Sequence, residues 1–268
     1  MEFYGIVGEK LSHSLSPVIH KRVFELLDIE GAYKAFPIPK EDIKNLVHSL
    51  KLLSIKGVNV TIPYKKEVMS QLDYISEEAQ KIGAVNTILL KDGKASGYNT
   101  DYFGFGRMLK VNDIEPEGKI AVILGNGGAA KAVIANLLDS KVSKLYLVTR
   151  SKENADNVDP SVTLIDYDEL KSIKGDILIN TTPLGMYPKV GVSPVNEDII
   201  ANFDTLVDII YNPKLTEFLK IGKSLSKKTC DGLYMLVGQA IKSQEIWQDR
   251  EIKADIINKI YNELQKEF

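Results

Sequence analysis

The sequence predicts a two-domain α/β protein whose C-terminal helices return to the first domain. Three observations support this class. Strand and helix patterns alternate through the first hundred residues. Residues 119–150 then read as a strand, a glycine-rich turn, a helix and a second strand. Between them lies a polar segment, 112–118, that contains Pro116. We therefore expect a first domain of residues 1–101, joined by helices in 233–268, and a second domain of residues 102–232.

The first domain is predicted from apolar runs and helical spacing. Ser16-Pro17 is a favourable helix start, with serine as the N-cap and proline at the first helical position. Asp92-Gly93 is a strong hairpin-turn signal. The expected strands are 3–7, 32–38, 57–62, 84–90 and 94–98, and the expected helices are 18–27, 41–53 and a short one near Lys65.

The second domain continues the alternation after the polar segment. Its expected strands are 120–124, 144–149, 162–165, 176–180 and 205–210, and its expected helical segments are 102–109, 129–138, 167–171 and one that ends near Leu225. Two amphipathic helices, 233–247 and 252–264, close the chain. In an open parallel sheet the loops at the carboxyl ends of the strands line the ligand crevice. The loops that begin at Thr181 and Tyr211 are therefore candidates to contact a ligand, although the threonines also suit a simple turn.

Composition limits the class of protein and of partner. The chain has 268 residues, 44% of them hydrophobic, and a formal net charge of −2, which suits a globular protein and argues against a nucleic-acid surface. Cys230 is the only cysteine, so neither an internal disulfide nor a cysteine zinc cluster can form. The sequence shows no signal-peptide pattern and no apolar run of membrane-span length. We expect a cytoplasmic protein without a membrane or nucleic-acid partner.

The glycine-rich turn indicates a dinucleotide site. Gly125, Gly127 and Ala130 form the G-x-G-x-x-A variant directly after an apolar strand and before a helix. Such a turn lets the backbone approach a pyrophosphate, whose charge the amides of the helix N-terminus can bind. The alternative is an ordinary tight strand-to-helix turn.

The end of the next strand favours NADP over NAD. An NAD site usually carries an acidic residue there, to bond the ribose hydroxyls, whereas this chain has Thr149-Arg150-Ser151-Lys152. Arg150 and Lys152 can meet a 2′-phosphate, with the two hydroxyls as donors. Glu153 follows closely enough to keep NAD open, and a solvated loop would also explain the basic residues.

Polar clusters elsewhere are candidates for substrate contacts. They are Ser14 with Ser16, Thr61 with Lys65, and Asn86 with Asp101, and each has a structural alternative in capping, solvation or turn formation. The histidines provide no obvious acid/base group. His20 and His48 suit packing or surface positions, His13 is undecided, and no pair of histidines has metal-ligand spacing.

Taken in order, these segments resemble the shikimate dehydrogenase family along essentially the whole chain. The matching segments are Ser14-Leu15-Ser16-Pro17, Asn59-Val60-Thr61 with Pro63 and Lys65, Gly83-Ala84-Val85-Asn86-Thr87, Asn99-Thr100-Asp101, Gly125-Asn126-Gly127-Gly128-Ala129, Thr149-Arg150-Ser151, 180–186, and Asp231-Gly232 with Met235-Leu236 and Gln239-Ala240. Each segment is modest by itself, but the ordered set is specific. The resemblance implies a substrate domain and an NADP-binding Rossmann domain.

The resemblance also implies the roles of the substrate residues. Ser14 and Ser16 would bind the substrate carboxylate, with Tyr211 nearby. The ring hydroxyls would be held by Thr61, Asn86, Asp101 and Gln239. Lys65 would contact the substrate as the acid/base, with Asp101 as its partner.

The cofactor residues follow from the same resemblance. It implies that the pyrophosphate is bound by Gly125, Asn126, Gly127, Gly128 and Ala129, the 2′-phosphate end by Thr149, Arg150, Ser151 and Lys152, and the nicotinamide by Ile209 and Gly232. Asn126 stands where the family commonly has alanine, and Thr149 and Ser151 stand where Asn-Arg-Thr is usual. Because Arg150 is kept, NADP remains the expected cofactor.

The resemblance implies NADPH-dependent reduction of 3-dehydroshikimate to shikimate, on the route to chorismate and the aromatic amino acids, without a metal. The partner would be this small substrate, and the protein would be a monomer or a homodimer. Two alternatives remain: an NAD-using quinate/shikimate dehydrogenase and a non-catalytic nucleotide-sensing homologue. The second predicts loss of the lysine–aspartate pair, yet Lys65 and Asp101 are both present.

Overall fold

The computed structural model describes residues 1–11, 14–152 and 158–267. The chain divides into two compact units. The first holds residues 1–104 and 237–264, and the second holds residues 105–236 and the segment after residue 264. The sequence predicts the corresponding domain boundaries at residues 101 and 233.

The first unit is built on a mixed six-stranded sheet. Its first elements are β1 (Glu2–Gly8), α1 (Ser16–Leu27), β2 (Gly31–Pro37), a 3₁₀ helix (Lys40–Asn45), α2 (Leu46–Leu52), β3 (Gly57–Val60), a 3₁₀ helix (Glu67–Gln71), β4 (Tyr74–Ile75), α3 (Glu77–Ile82), β5 (Thr87–Lys91) and β6 (Lys94–Tyr98). Helix α4 (Thr100–Val111) begins in this unit, and its residues from 105 onward belong to the second unit. The strand order is β2-β1-β3-β5-β6-β4. Strand β1 is parallel to β2 and β3, whereas β5 is antiparallel to β3 and β6. The predicted hairpin is confirmed, and Asp92 and Gly93 both have positive φ (51° and 74°), as its two-residue turn requires.

Two local predictions for this unit are wrong. The segment 41–53 is not one α-helix, because a 3₁₀ helix precedes α2 and places Ile43 in the core beside Leu46 and Val47. Ser16 is not the N-cap of α1. Leu15 takes that position without a side-chain bond, and Ser16 is the first residue of the helix.

Strand β3 is shorter than predicted because Pro63 ends the ladder. The strand stops at Val60, and proline lacks the N–H that a further ladder bond needs. The Thr61 N–H still donates to the carbonyl of Val7 at 2.9 Å, which holds the chain beside β1 at this point. Residues 61–65, which follow the strand, therefore lie at the carboxyl edge of the sheet.

The second unit is a parallel six-stranded sheet with helices between its strands. Its elements are β7 (Ile120–Leu124), α5 (Gly128–Asp139), β8 (Lys144–Val148), β9 (Val162–Ile165), α6 (Tyr167–Leu170), β10 (Ile177–Asn180), α7 (Glu197–Ile200), β11 (Thr205–Asp208), α8 (Glu217–Ser224) and β12 (Lys228–Cys230). The order β12-β11-β10-β7-β8-β9 is that of a doubly wound dinucleotide-binding sheet. The strand order reverses between β7 and β10, which places the ligand crevice at their carboxyl ends.

Helices α9 (Leu233–Gln248) and α10 (Ala254–Leu264) precede a final 3₁₀ helix (Gln265–Glu267). The residues of α9 and α10 from 237 onward belong to the first unit. Trp247 of α9 packs against Tyr4 and Phe24, and its Nε1 donates to the carbonyl of Ile88 at 3.0 Å. A Cβ on Gly57 would lie 2.2 Å from that nitrogen, so only glycine fits there. The predicted return of the C-terminal helices to the first domain is confirmed.

Candidate functional site

A lysine–aspartate pair lies at the carboxyl edge of the first sheet. Lys65 Nζ donates to Asp101 Oδ2 at 2.6 Å, and the two side chains are 20% and 9% exposed. The Lys65 carbonyl accepts from the N–H of Val85 at 2.8 Å, and Asp101 lies in the first turn of α4. Asp101 is therefore held by a helix, and Lys65 lies in a turn that a backbone hydrogen bond ties to Val85. An ammonium group has three donors, so the bond to Asp101 leaves donors for a ligand.

Two amide side chains lie beside this pair. Asn86 immediately precedes β5, and its Oδ1 accepts from the backbone N–H of Thr100, the residue before Asp101, at 2.7 Å. Asn86 Nδ2 donates to Gln239 Oε1 at 3.5 Å. The structure thus brings Lys65, Asp101, Asn86 and Gln239 together from four separate parts of the chain, and Thr61 lies at the end of the strand that leads to Lys65.

The serine cluster differs from a simple helix cap. Ser14 Oγ accepts from the N–H of Ser16 at 3.3 Å, so Ser14 makes the local backbone bond expected of Ser16. Burial raises the pKa of the Tyr33 phenol, and the neighbouring Ser16 hydroxyl partly opposes this rise. Ser12 and His13 lie outside the described residues. Tyr211, which follows β11 in the second unit, is half-buried, and burial raises the pKa of its phenol.

The glycine turn has the geometry of an anion site. Gly125 has φ of +94°, and a Cβ there would lie 2.7 Å from the Thr182 side chain. A Cβ on Gly127 or Gly128 would meet no atom within 4 Å. These glycines open the N-terminus of α5, where backbone N–H groups have no intrahelical partner. The turn fits a pyrophosphate.

Two side chains complete this turn. Thr181 Oγ1 donates to the carbonyls of Leu124 and Gly125 at 2.8 and 3.1 Å, so its hydroxyl supports the turn. The buried Oδ1 of Asn126 has no hydrogen-bond partner within the described part of the chain. A cofactor hydroxyl would satisfy that acceptor.

Gly127→Ala tests the turn without straining the fold. Gly127 has φ of −85°, which alanine adopts readily, and its Cβ would occupy open space. We expect an unchanged melting temperature and a KM for NADP that rises at least roughly tenfold, because the methyl group displaces the pyrophosphate from the amides. Melting and cofactor titrations on one preparation measure both quantities. An unchanged KM would show that the pyrophosphate does not approach Gly127.

Two basic side chains follow β8, and among the described residues only Lys152 of the two forms an ion pair. Arg150 is exposed, and its charge partly opposes the rise that burial causes in the pKa of Tyr167. Lys152 forms ion pairs with Glu169 and, at 3.8 Å, with Asp166. Thr149 Oγ1 donates to the carbonyl of Ser151 at 3.1 Å. Arg150 is therefore the better placed of the two cations to bind a phosphate. Glu153 lies outside the described residues.

Ile209 and Gly232, the two residues expected at the nicotinamide, lie against each other. The Gly232 N–H donates to the carbonyl of Ile210 at 3.0 Å. A Cβ on Gly232 would lie 2.0 Å from the carbonyl oxygen of Ile209, so the close backbone approach requires glycine. The structure brings this pair together at the end of β11.

A buried carboxylate that sequence reasoning missed holds the ends of β10 and β11. Asp208 accepts from Asn180 Nδ2 at 3.1 Å, from the N–H of Ile210 at 3.1 Å and from Thr216 Oγ1 at 2.7 Å. Burial raises the pKa of Asp208 to about 6, although these hydrogen bonds oppose the shift. One acidic residue at the end of an apolar strand gives no sequence signal for such a cluster.

Asp208→Asn is expected to change how stability depends on pH. The folded pKa of about 6 lies above the ordinary value of 3.8. The contribution of Asp208 to stability is therefore full below about pH 4 and is lost as the pH rises through about 6. We expect the free energy of unfolding of Asp208→Asn, relative to the unchanged protein, to rise by about 2 kcal/mol between pH 4 and pH 8. Urea titrations at both pH values measure this difference, which would be constant if Asp208 titrated normally.

Within residues 1–11, 14–152 and 158–267, no group of three or more His, Cys, Asp and Glu side chains could hold a metal ion. Among the described helices, none has the length and apolar character of a membrane span. His20 is buried and stacked on Tyr33, and His48 is exposed, so both predictions for these histidines are confirmed.

The sequence and the structure are similar to those of known proteins. A family model described as the shikimate dehydrogenase substrate binding domain matches residues 6–88. A shikimate dehydrogenase (NADP(+)) of Clostridium beijerinckii is 60% identical, over 100% of both chains. The crystal structure of shikimate dehydrogenase 1 from Peptoclostridium difficile is 62% identical with a TM-score of 0.92, covering 100% of this chain and 99% of that one. That of the Thermus thermophilus enzyme, in complex with NADP(H) and shikimate, is 29% identical with a TM-score of 0.88, covering 98% and 99%.

Proposed function

Because the chain belongs to the shikimate dehydrogenase family, we propose that Lys65 and Asp101 perform the proton transfer of that family's reaction. The protein is an NADP-dependent oxidoreductase that reversibly reduces 3-dehydroshikimate to shikimate, in the biosynthesis of chorismate and the aromatic amino acids. The observation that carries the residue assignment is the ion pair of 2.6 Å, partly shielded from water and adjacent to two amide side chains.

Lys65 acts on the carbonyl oxygen. Its ammonium donates a hydrogen bond to that oxygen, stabilises the negative charge that develops there and then delivers the proton. Asp101 keeps the ammonium in position and compensates its charge when Lys65 is protonated. In the reverse direction the neutral amine of Lys65 takes the proton from the substrate hydroxyl. NADPH supplies the hydride when it is bound, and the lysine provides the polarising charge that a metal would otherwise supply.

The remaining polar residues bind and orient the substrate. Ser14 and Ser16 donate to its carboxylate, to which Tyr211 also contributes. Thr61, Asn86, Asp101 and Gln239 hold the ring hydroxyls. A site of this kind rejects analogues that lack a hydroxyl, because its own buried polar groups would then remain unpaired.

The glycine turn and the end of β8 bind the cofactor. Gly125, Asn126, Gly127, Gly128 and Ala129 hold the pyrophosphate, and Arg150 binds the 2′-phosphate with support from Thr149, Ser151 and Lys152. Ile209 and Gly232 contact the nicotinamide. Residues 1–101 with 233–268 form the substrate domain, and residues 102–232 form the NADP domain.

An absorbance assay with purified protein tests this function. Shikimate and quinate are each offered with NADP and with NAD. We expect rapid reduction of NADP by shikimate and at least roughly tenfold lower kcat/KM with NAD, because Arg150 gains a charge-assisted bond only with the 2′-phosphate. Preferred turnover of quinate with NAD would indicate the broader dehydrogenase, and folded protein without turnover would indicate the nucleotide-sensing homologue.

The proposal includes a cytoplasmic location, a monomeric or homodimeric state and no nucleic-acid partner. Light scattering on the purified protein tests the state of assembly, and fractionation of cells tests the location. Higher oligomers or a membrane fraction would contradict these statements.

A further inference from the structure

Asn86 is held by more hydrogen-bond donors than its carbonyl oxygen has lone pairs. Its Oδ1 accepts from the backbone N–H of Thr100 at 2.7 Å, from Thr100 Oγ1 at 3.1 Å and from Thr87 Oγ1 at 3.1 Å. A backbone N–H cannot accept, so the Asn86 atom that faces it must be the oxygen and not the nitrogen. An amide oxygen has two lone pairs. Asn86 therefore has no acceptor left for a ligand, and its Nδ2 is the atom that faces Gln239 and the site.

The hydrogen bonds that run from Asn59 through Ser243 and Thr87 to Asn86 imply the same orientation of the Asn86 amide. Asn59 Oδ1 accepts from Tyr33 Oη at 2.7 Å, and Asn59 Nδ2 faces the backbone carbonyl of Asn86 at 3.4 Å. Because a carbonyl can only accept, the Asn59 atom that faces it is the nitrogen. That nitrogen donates to Ser243 Oγ at 2.8 Å and to Thr87 Oγ1 at 3.0 Å. Because both hydroxyl oxygens accept from Asn59, their own hydrogens point onward, from Ser243 to the carbonyl of Gln239 at 3.1 Å and from Thr87 to Asn86.

The hydroxyls that connect these amides are fully enclosed. Thr87, Thr100 and Ser243 are each 0% exposed, and they lie within 3.0 to 3.4 Å of one another. Leaving a buried hydroxyl without its hydrogen-bond partner costs more free energy than the hydrogen bond had contributed. Few alternative arrangements are therefore available to this network. It joins β3, β5, α4 and α9 behind the proposed substrate residues.

We propose that Ser243 and Thr87 are positioning residues: Thr87, supported by Ser243, occupies the Asn86 carbonyl oxygen together with Thr100, so that Asn86 offers only its N–H groups to the substrate. The group of the substrate that meets Asn86 must then offer a lone pair, as a hydroxyl does. The inference rests on the proposed function, in which Asn86 binds a ring hydroxyl of shikimate. It adds two residues that do not themselves contact the substrate.

Ser243→Ala tests the proposal through the separation of KM from kcat. We expect KM for shikimate to rise roughly tenfold, because Thr87, which donates to Asn86, loses its contact with the Ser243 hydroxyl, with kcat within roughly threefold and KM for NADP unchanged. Thr87→Val, which keeps the branched shape and removes the hydroxyl, should act in the same direction. Ser243→Cys, which keeps a weak donor in place of the hydroxyl, should recover part of the affinity.

A double-mutant cycle distinguishes positioning from general destabilisation. If Ser243 acts through Asn86, Ser243→Ala should raise KM for shikimate by less than roughly twofold in an Asn86→Ala background. An equal tenfold increase in both backgrounds would overturn the proposal. Trp247→Phe is the matched control, because it removes a buried hydrogen bond of the same helix outside this network. It should lower the melting temperature and leave KM for shikimate unchanged.

The outcomes separate this inference from the function on which it rests. Wild-type turnover of shikimate together with an unchanged KM in both Ser243→Ala and Thr87→Val would refute the positioning role alone. Wild-type protein that neither binds nor turns over shikimate would refute the proposed function, and the positioning role with it.

Discussion

Lys65→Ala is expected to lower the turnover of shikimate roughly a thousandfold while NADP affinity stays within roughly twofold. General acid–base catalysis contributes typically about 10²- to 10⁴-fold, and the lost ammonium also removes the charge that stabilises the developing alkoxide. Cofactor affinity should persist because the glycine turn and Arg150 are unchanged. Steady-state rates and NADP titration on one folded preparation measure the two effects.

Lys66→Ala is the matched control for this substitution. Lys66 is the next residue along the chain and is exposed, so we expect its loss to change turnover by less than roughly twofold. The turnover of Asp101→Asn should lie between those of Lys65→Ala and Lys66→Ala, because the ammonium of Lys65 remains but no longer has a negative charge to hold it. Wild-type turnover in Lys65→Ala would remove Lys65 from the mechanism.

Arg150→Ala is expected to raise KM for NADP roughly 10- to 100-fold and to leave KM for NAD nearly unchanged. A charge-assisted bond between guanidinium and phosphate accounts for this difference, since NAD lacks the 2′-phosphate. Parallel titrations with the two cofactors measure the selectivity. Equal losses for both cofactors would show that Arg150 does not bind the 2′-phosphate.

Lys152→Ala provides the comparison on the same segment. Its ammonium already pairs with Glu169 and Asp166, and this pairing raises the pKa of Lys152. We expect a rise in KM for NADP of less than roughly threefold, because a phosphate would have to compete with two carboxylates. A larger rise in KM for NADP than Arg150→Ala causes would show that Lys152, and not Arg150, is the main ligand of the 2′-phosphate.

The fold could be predicted wherever periodicity extends over several turns or strands. The strand from Ile120 to Leu124 and the helix that follows it are examples, since apolar runs and helical spacing there agree with the glycine turn. Strands β4 and β12 and helices α3 and α7 are short, from two to six residues, and show no period. The sequence does not fix the N-cap of α1, because serine suits both the cap and the first turn.

The candidate site could be predicted only in part. Lys65 and Asp101 were identified through the ordered resemblance, and the structure then brings their side chains together. Ser243 and Asp208 carry no signal in one sequence, because each is a single polar residue in a pattern that regular structure already explains, and Thr87 belongs to a matching segment that does not indicate its role. Their partners come from distant elements, and only the folded chain shows that their hydrogen bonds converge on Asn86 or on the strand ends.

Rescue of Lys65→Ala by small primary amines tests most directly the claim that Lys65 transfers the proton. The measurement is NADP reduction by shikimate in this variant as ethylamine is added at constant ionic strength. We predict that turnover rises with the concentration of the free amine, and that the wild-type protein and Lys66→Ala do not respond. A rate that stays the same at every amine concentration, in a variant that still binds shikimate and NADP, would contradict the assignment of proton transfer to this position.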